Sequence, residues 1–258
     1  MHARVRLAIA GLVLVSIAAA CRNPLGREYE YEEQLYLQVN GSATVVVDAS
    51  IASLVALRGM ALDTSFATRP DRAAIRKLIE AGGCPAVTVG QPWTRHGRRF
   101  IQIRIATKDV RTLSSCALLA WSTYRLDPDS GGREMLRYHQ TVGAASGGNP
   151  GNPKWTGKEL VGFKLHLPSK ITDHNVKRLD TGENGAVERG NILTYEQRLT
   201  DRLAGAPIEM VVEMGSQSIL YHTLFLFAGA FAAAVVALAI VVWLTVRHGR
   251  RQAEASGT

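Results

Sequence analysis

The sequence predicts an α+β fold: an exported antiparallel-sheet domain with helices on one face, a β-rich region next to the membrane, and one C-terminal transmembrane helix. Three observations carry this. Apolar residues alternate with period two in several short runs, two segments show helical spacing instead, and Leu224 to Val246 is apolar throughout except for Thr245.

The last of these organises the rest. As a helix rising 1.5 Å per residue the stretch reaches roughly 35 Å, enough to cross a hydrocarbon core of roughly 30 Å with some tilt. Its thirteen Leu, Ile, Val and Phe residues are worth on the order of 4 to 8 kcal/mol on the insertion scale, with no charge to subtract. Arg247, His248, Arg250 and Arg251 follow at once, while Met214 to Thr223 carries no Lys or Arg. By the positive-inside rule residues 247–258 form a cytoplasmic basic tail, and everything before about Gly215 lies outside the cytoplasm. Trp243 at one end and Tyr221 with His222 at the other fit interfacial positions.

The amino terminus agrees. Arg4 and Arg6 precede the apolar run Leu7 to Ala20, which ends in Ala18-Ala19-Ala20, so residues 1–20 read as a signal peptide. Cys21 follows directly, as in the bacterial lipobox, where the cysteine receives diacylglycerol before cleavage. Ala18 stands where that motif prefers Leu, so ordinary cleavage after Ala20 is the alternative to lipidation at Cys21. The expected localisation is the plasma membrane, single-pass, with the large domain extracytoplasmic.

Composition fits an exported domain. The whole chain carries a formal charge of +8, but Arg22 to Ser218 holds 25 basic against 21 acidic residues. Nucleic acid is therefore not an expected partner; a mildly basic surface suits anionic headgroups better. Three cysteines are an odd number for an oxidising compartment, and with Cys21 acylated Cys84 and Cys116 remain as a pair. A disulfide between them is expected, with two buried thiols as the alternative. No CxxC, HExxH or ordered His/Cys spacing is present, so neither a metal nor another cofactor is expected.

In chain order, residues 21–142 read as the exported α+β domain. Tyr29 to Val39 is a strand, Asn40-Gly41 a two-residue turn, and a second strand runs through Val47. Glu28, Glu30, Glu32 and Glu33 read as a solvated strand edge that deters pairing. Ile51 to Arg58 is helical. Asp71 to Ala81 is an amphipathic helix with Ala74, Ile75, Leu78 and Ile79 on one face, Pro70 at its entrance and Gly82-Gly83 at its exit. Val87 to Val89 and Phe100 to Ala106 read as paired strands, the latter alternating Ile101, Ile103 and Ile105 with Gln102 and Arg104. Their connection gathers Trp93, Arg95, Arg98 and Arg99. An indole and three guanidiniums suit an interfacial loop contacting headgroups or glycolipid; a solvated hairpin tip with Trp93 packed back is the plainer alternative. Asp109 caps a short helix carrying Cys116, and strands follow near Trp121 to Arg125 and Glu134 to Val142.

Residues 143–157, dense in Gly, Pro, Asn and Ser, read as a flexible linker. Residues 158–218 read as the β-rich membrane-proximal region, with strands at Leu160 to Leu167, Asn191 to Leu199 and Pro207 to Met214; residues 219–246 complete the span.

A resemblance rests on these residues. A lipobox-like Cys21, an α+β ectodomain, Leu167-Pro168-Ser169-Lys170-Ile171-Thr172, a loop with Asn175 and Asn184-Gly185, the strand Gly190-Asn191-Ile192-Leu193-Thr194-Tyr195 and a terminal transmembrane helix together look like the LppM-type bacterial envelope lipoproteins. The likeness covers mainly residues 160 to 246, and Tyr195 stands where that family tends to have Trp. It implies an exported βα-sandwich tied to the membrane and linked with envelope glycolipids.

No catalytic residues are assigned: His96, His139, His166, His174 and His222 have no Ser-x-x-Lys, Gly-x-Ser-x-Gly or His-x-Glu context. The expected function is non-catalytic, binding lipid, glycolipid or another cell-envelope component, with the bilayer as partner. The alternatives are an assembly scaffold acting through protein partners and an unrecognised hydrolase.

Overall fold

A computed structural model describes Arg27, residues 29–128 and residues 135–255. The signal peptide, Cys21 and the side chains of the basic tail, on which three of the expectations fall, lie outside the described residues. The elements are β1 (Tyr29–Leu37), β2 (Ala43–Ser50), α1 (Ile51–Arg58), α2 (Arg72–Ala81), β3 (Val87–Val89), β4 (Trp93–Arg95), β5 (Arg98–Thr107), a 3-10 turn (Val110–Ser115), β6 (Ser122–Pro128), β7 (Met135–Val142), β8 (Leu160–His166), β9 (Ile171–His174), β10 (Ile192–Arg198), α3 (Leu199–Leu203), β11 (Ile208–Gly215) and α4 (Ile219–Ala255).

They form two sheets. The first has the order β10-β8-β1-β2-β5-β3, with β4 also on β5; the second is β6-β7-β11-β9. The sheets pack through their apolar faces. Tyr31, Leu35, Val45, Val47, Ile101, Ile103, Phe163 and Leu165 of the first join Tyr138, Met210, Val212 and Met214 of the second in one core, with Leu54 and Leu57 of α1. The expected separate membrane-proximal lobe is not found, because β8 and β10 complete the first sheet while β9 and β11 pair into the second. β8 lies parallel to β1, so the first sheet is mixed rather than antiparallel. The physical reason is that β1 is central: without β8 its second edge would present an open row of donors and acceptors.

Local signals act as their chemistry dictates. The Ser50 hydroxyl accepts from Ser53 N at 3.0 Å to start α1, and Gly59 ends it at φ 62°. The Asp71 carboxylate caps Ala73 and Ala74 at the start of α2, whose Ile75 and Ile79 are buried; Leu78 of the predicted face stays 42% exposed. The first hairpin differs from expectation. Gly41 N donates to Gln38 O and Gln38 N to Ser42 O, closing a three-residue loop in which Gly41 takes φ 83°, while Asn40 accepts from Ser42 N at 3.0 Å. Glycine thus supplies one left-handed residue after a turn, and asparagine serves as a side-chain acceptor. Cys84 and Cys116 form the expected disulfide.

The glycine-rich segment 143–157 is packed rather than a loose linker. Ser146 N donates to Leu57 O at 2.9 Å and Gly148 N to Ala56 O at 3.4 Å, laying the chain across α1. A Cβ on Gly148 would fall 2.3 Å from the Val55 carbonyl oxygen. Gly148→Ala should therefore force the segment off α1 and lower stability by about 1–3 kcal/mol, read as a shifted urea midpoint; an unshifted midpoint would show that the close approach is dispensable.

α4 begins where β8 and β11 end. Ile219 N donates to Pro168 O at 3.0 Å and Gly215 N to Lys170 O at 3.2 Å. Within α4, Thr223–Val246 is 24 residues without a charged side chain and with none of its residues buried, long and apolar enough to cross a bilayer. Because β1 and β8 run toward this pole, β2 away from it and β5 back again, the β4–β5 hairpin lies at the opposite pole. β5 alone, nine intervals of about 3.3 Å, separates the two by about 30 Å.

Candidate functional site

The four residues singled out as headgroup contacts sit on the β4–β5 hairpin, closed by a two-residue turn in which His96 and Gly97 both have positive φ (48° and 69°). The register Trp93↔Phe100, Thr94↔Arg99, Arg95↔Arg98 puts Trp93, Arg95 and Arg98 on one face and Arg99 on the other. Trp93 stacks on Phe100 with centroids 5.7 Å apart and stays 38% exposed. The Arg95 guanidinium lies 4.3 Å from the Phe100 ring and donates to the Tyr29 carbonyl. The four share one hairpin but not one face of it, and that hairpin lies at the pole opposite the start of α4. They belong to the hairpin's own architecture to different degrees, and Arg98 most of all.

Arg98 is committed inward. Its Nε and Nη2 both reach Glu30 Oε1 at 2.7 Å, with side chains 9% and 0% exposed, and Nη2 lies 3.9 Å from Glu159. Trp155 Nε1 donates to Glu30 Oε2 at 3.2 Å, and Ser53 Oγ to the Glu30 carbonyl. The expected solvated acidic edge is thus corrected: Glu30 and Glu33 are buried on the central strand β1.

Arg98 and Arg99 nevertheless line a cleft of about 560 Å³. Three segments wall it: Asp63 to Phe66, the hairpin tip His96 to Arg99, and Pro150 to Lys154, with Ile51 and Ala52 at its floor. Arg99 Nε donates to the Phe66 carbonyl at 2.7 Å, and its guanidinium lies 5.1 Å from the Phe66 ring. The Thr68 side chain and the Ser65 N–H, the latter at 2.8 Å, bond the Asp63 carboxylate and hold its pKa below the usual range. Lys154, at φ 57°, is fixed by its own N–H to Asn152 Oδ1 at 3.2 Å. Phe66, Asn152 and Lys154 were missed in the sequence because they stand in segments that read as connections; the non-glycine residue held in a left-handed conformation is visible only in the structure.

A second polar centre lies inside the sandwich. Glu33, 2% exposed, accepts from the Tyr124 hydroxyl at 3.1 Å, the Tyr31 hydroxyl at 3.2 Å and Gln140 Nε2 at 3.3 Å. Burial pushes its carboxyl pKa up, and these bonds offset that only in part. Glu32 and Asp48, opposite one another on the outer face, shift the same way, chiefly through burial. A carboxyl whose native pKa is raised binds more protons folded than unfolded, so stability falls as pH rises from the usual carboxylate range through the raised native value. Glu33→Gln should flatten part of that fall and raise stability above it. Urea midpoints between pH 4 and 8 check this; stability that rises with pH in the native chain and is unchanged by the substitution would contradict it.

Among the described residues no group of three or more His, Cys, Asp or Glu side chains is placed to hold a metal ion. No protein-family profile and no curated protein matches the sequence. Among solved structures, the folded domain of LppM from Mycobacterium tuberculosis, determined by NMR, is similar with a TM-score of 0.39 and 10% sequence identity over 75% of this chain and 94% of that one. At that level the likeness says nothing about ligand or chemistry.

Proposed function

We propose that the chain is a membrane-anchored, non-catalytic protein of the bacterial envelope whose extracytoplasmic domain binds an envelope component in the cleft between Phe66, Arg99 and Lys154. α4 spans the plasma membrane with its basic tail cytoplasmic, and the N-terminal segment is an export signal with Cys21 as the lipidated residue. The observation that supports this most is the placement of the cleft at the pole opposite α4, about 30 Å of strand away from the bilayer entry. A ligand there comes from beyond the headgroup layer rather than from the anchoring lipids.

The topology is tested in cells. Carbonate washing should leave the full chain in the membrane fraction, a chain ending at Ser218 should be released, and Cys21→Ser should stay membrane-bound through α4. Protease added to spheroplasts should digest the domain and spare a short fragment containing α4. A domain protected in intact spheroplasts would reverse the orientation and remove the cleft from the envelope space.

A further inference from the structure

We infer that the distal cleft takes an acidic saccharide, a sugar chain bearing carboxylate or phosphate groups. This rests on the binding role proposed above and adds the chemistry of the ligand.

Charge comes first. Arg98 is neutralised by Glu30, and Asp63 is engaged by its own loop. Arg99 and Lys154 form no ion pair among the described residues. Two cations from different segments therefore line the cleft, and an anion long enough to reach both segments can pair with each.

Ring surfaces come second. Phe66 is 55% exposed and stands across the cleft with Pro150 and Pro153, offering flat C–H and π surfaces of the kind on which sugar rings lie. Thr64, Ser65 and Asn152 add hydroxyl and amide groups that both donate and accept, as sugar hydroxyls require. The volume, about 560 Å³, falls within the roughly 300–1,000 Å³ of small-ligand sites. Inorganic phosphate would leave the ring surfaces unused, and a lipid of the anchoring bilayer would have to leave it to reach this pole.

The test uses the full chain in nanodiscs of neutral phosphatidylcholine, titrated calorimetrically with tetragalacturonate, maltotetraose and inorganic phosphate. Sedimentation with phosphatidylglycerol vesicles runs in parallel. Saturable binding of tetragalacturonate is expected, falling with added salt, and weakened about tenfold or more in R99Q/K154Q and in F66A. It should be unchanged in K108Q, at the opposite pole. Circular dichroism establishes that each variant is folded, and F66A keeps every charge. Equal binding of maltotetraose or of phosphate, or insensitivity to both variants, would overturn the assignment. Vesicle binding without tetragalacturonate binding would make the ligand a lipid. Failure of the membrane topology would show instead in fractionation and protease accessibility, which these titrations do not read.

Discussion

Replacing Arg98 by methionine is expected to destabilise the domain by about 3–5 kcal/mol, because it leaves the fully buried Glu30 carboxylate without its cation. The pair is well shielded, with side chains 9% and 0% exposed, so solvent screening reduces the effect little. Methionine keeps most of the aliphatic stem, which separates loss of charge from loss of packing. Adding Glu30→Gln to Arg98→Met should recover most of the loss, since an amide can still accept from Trp155 and no charge is stranded. Urea denaturation of the full chain in mild detergent reads both variants. An Arg98→Met protein as stable as the parent, or a double variant no better than the single, would show that the pair is not a structural element.

Breaking the disulfide should have an effect of similar size. Cys84 and Cys116 are 32 residues apart, and closing a loop of that length restricts the unfolded chain by about 3–4 kcal/mol in the chain-entropy account. Both sulfurs are buried in the core, so Cys84→Ala with Cys116→Ala adds little polar disturbance and isolates the cross-link. The double alanine variant should melt well below the parent, and reductant should lower the parent's midpoint while leaving the variant's unchanged. Reductant that moves neither midpoint would show that the bond does not form in the folded protein.

What was legible in the sequence was what local chemistry decides. The alternation of Ile101, Ile103 and Ile105, the Asp71 cap with Pro70 before it, and the charge-free stretch before Arg247 each carry their own signal within one turn or one strand. Pairing partners are not written locally. β8 shows its apolar alternation plainly, but its parallel seat beside β1, more than a hundred positions earlier, is set by which edge needs covering. Glu30 read as solvated because its partner Arg98 is 68 positions away, and the carboxylate is affordable inside only once that partner is there. The candidate site was legible in part: the arginines on the hairpin were seen, but not that one faces inward and that Phe66 and Lys154 complete the cleft. The glycine-rich segment misled for a related reason, since the composition that permits looseness also permits close backbone contact.

The parallel seat of β1 beside β8 has a mechanical corollary. The described part of β1 starts at the pole opposite the one from which α4 departs, so a pull exerted between those two ends is directed along the axis of β1 itself. Its ladders with β2 and β8 are then loaded in shear, many hydrogen bonds at once, rather than unzipped one by one. In a molecule loaded at those two ends, the central strand would transmit force as a single stiff member, and rupture would require sliding it past both neighbours together.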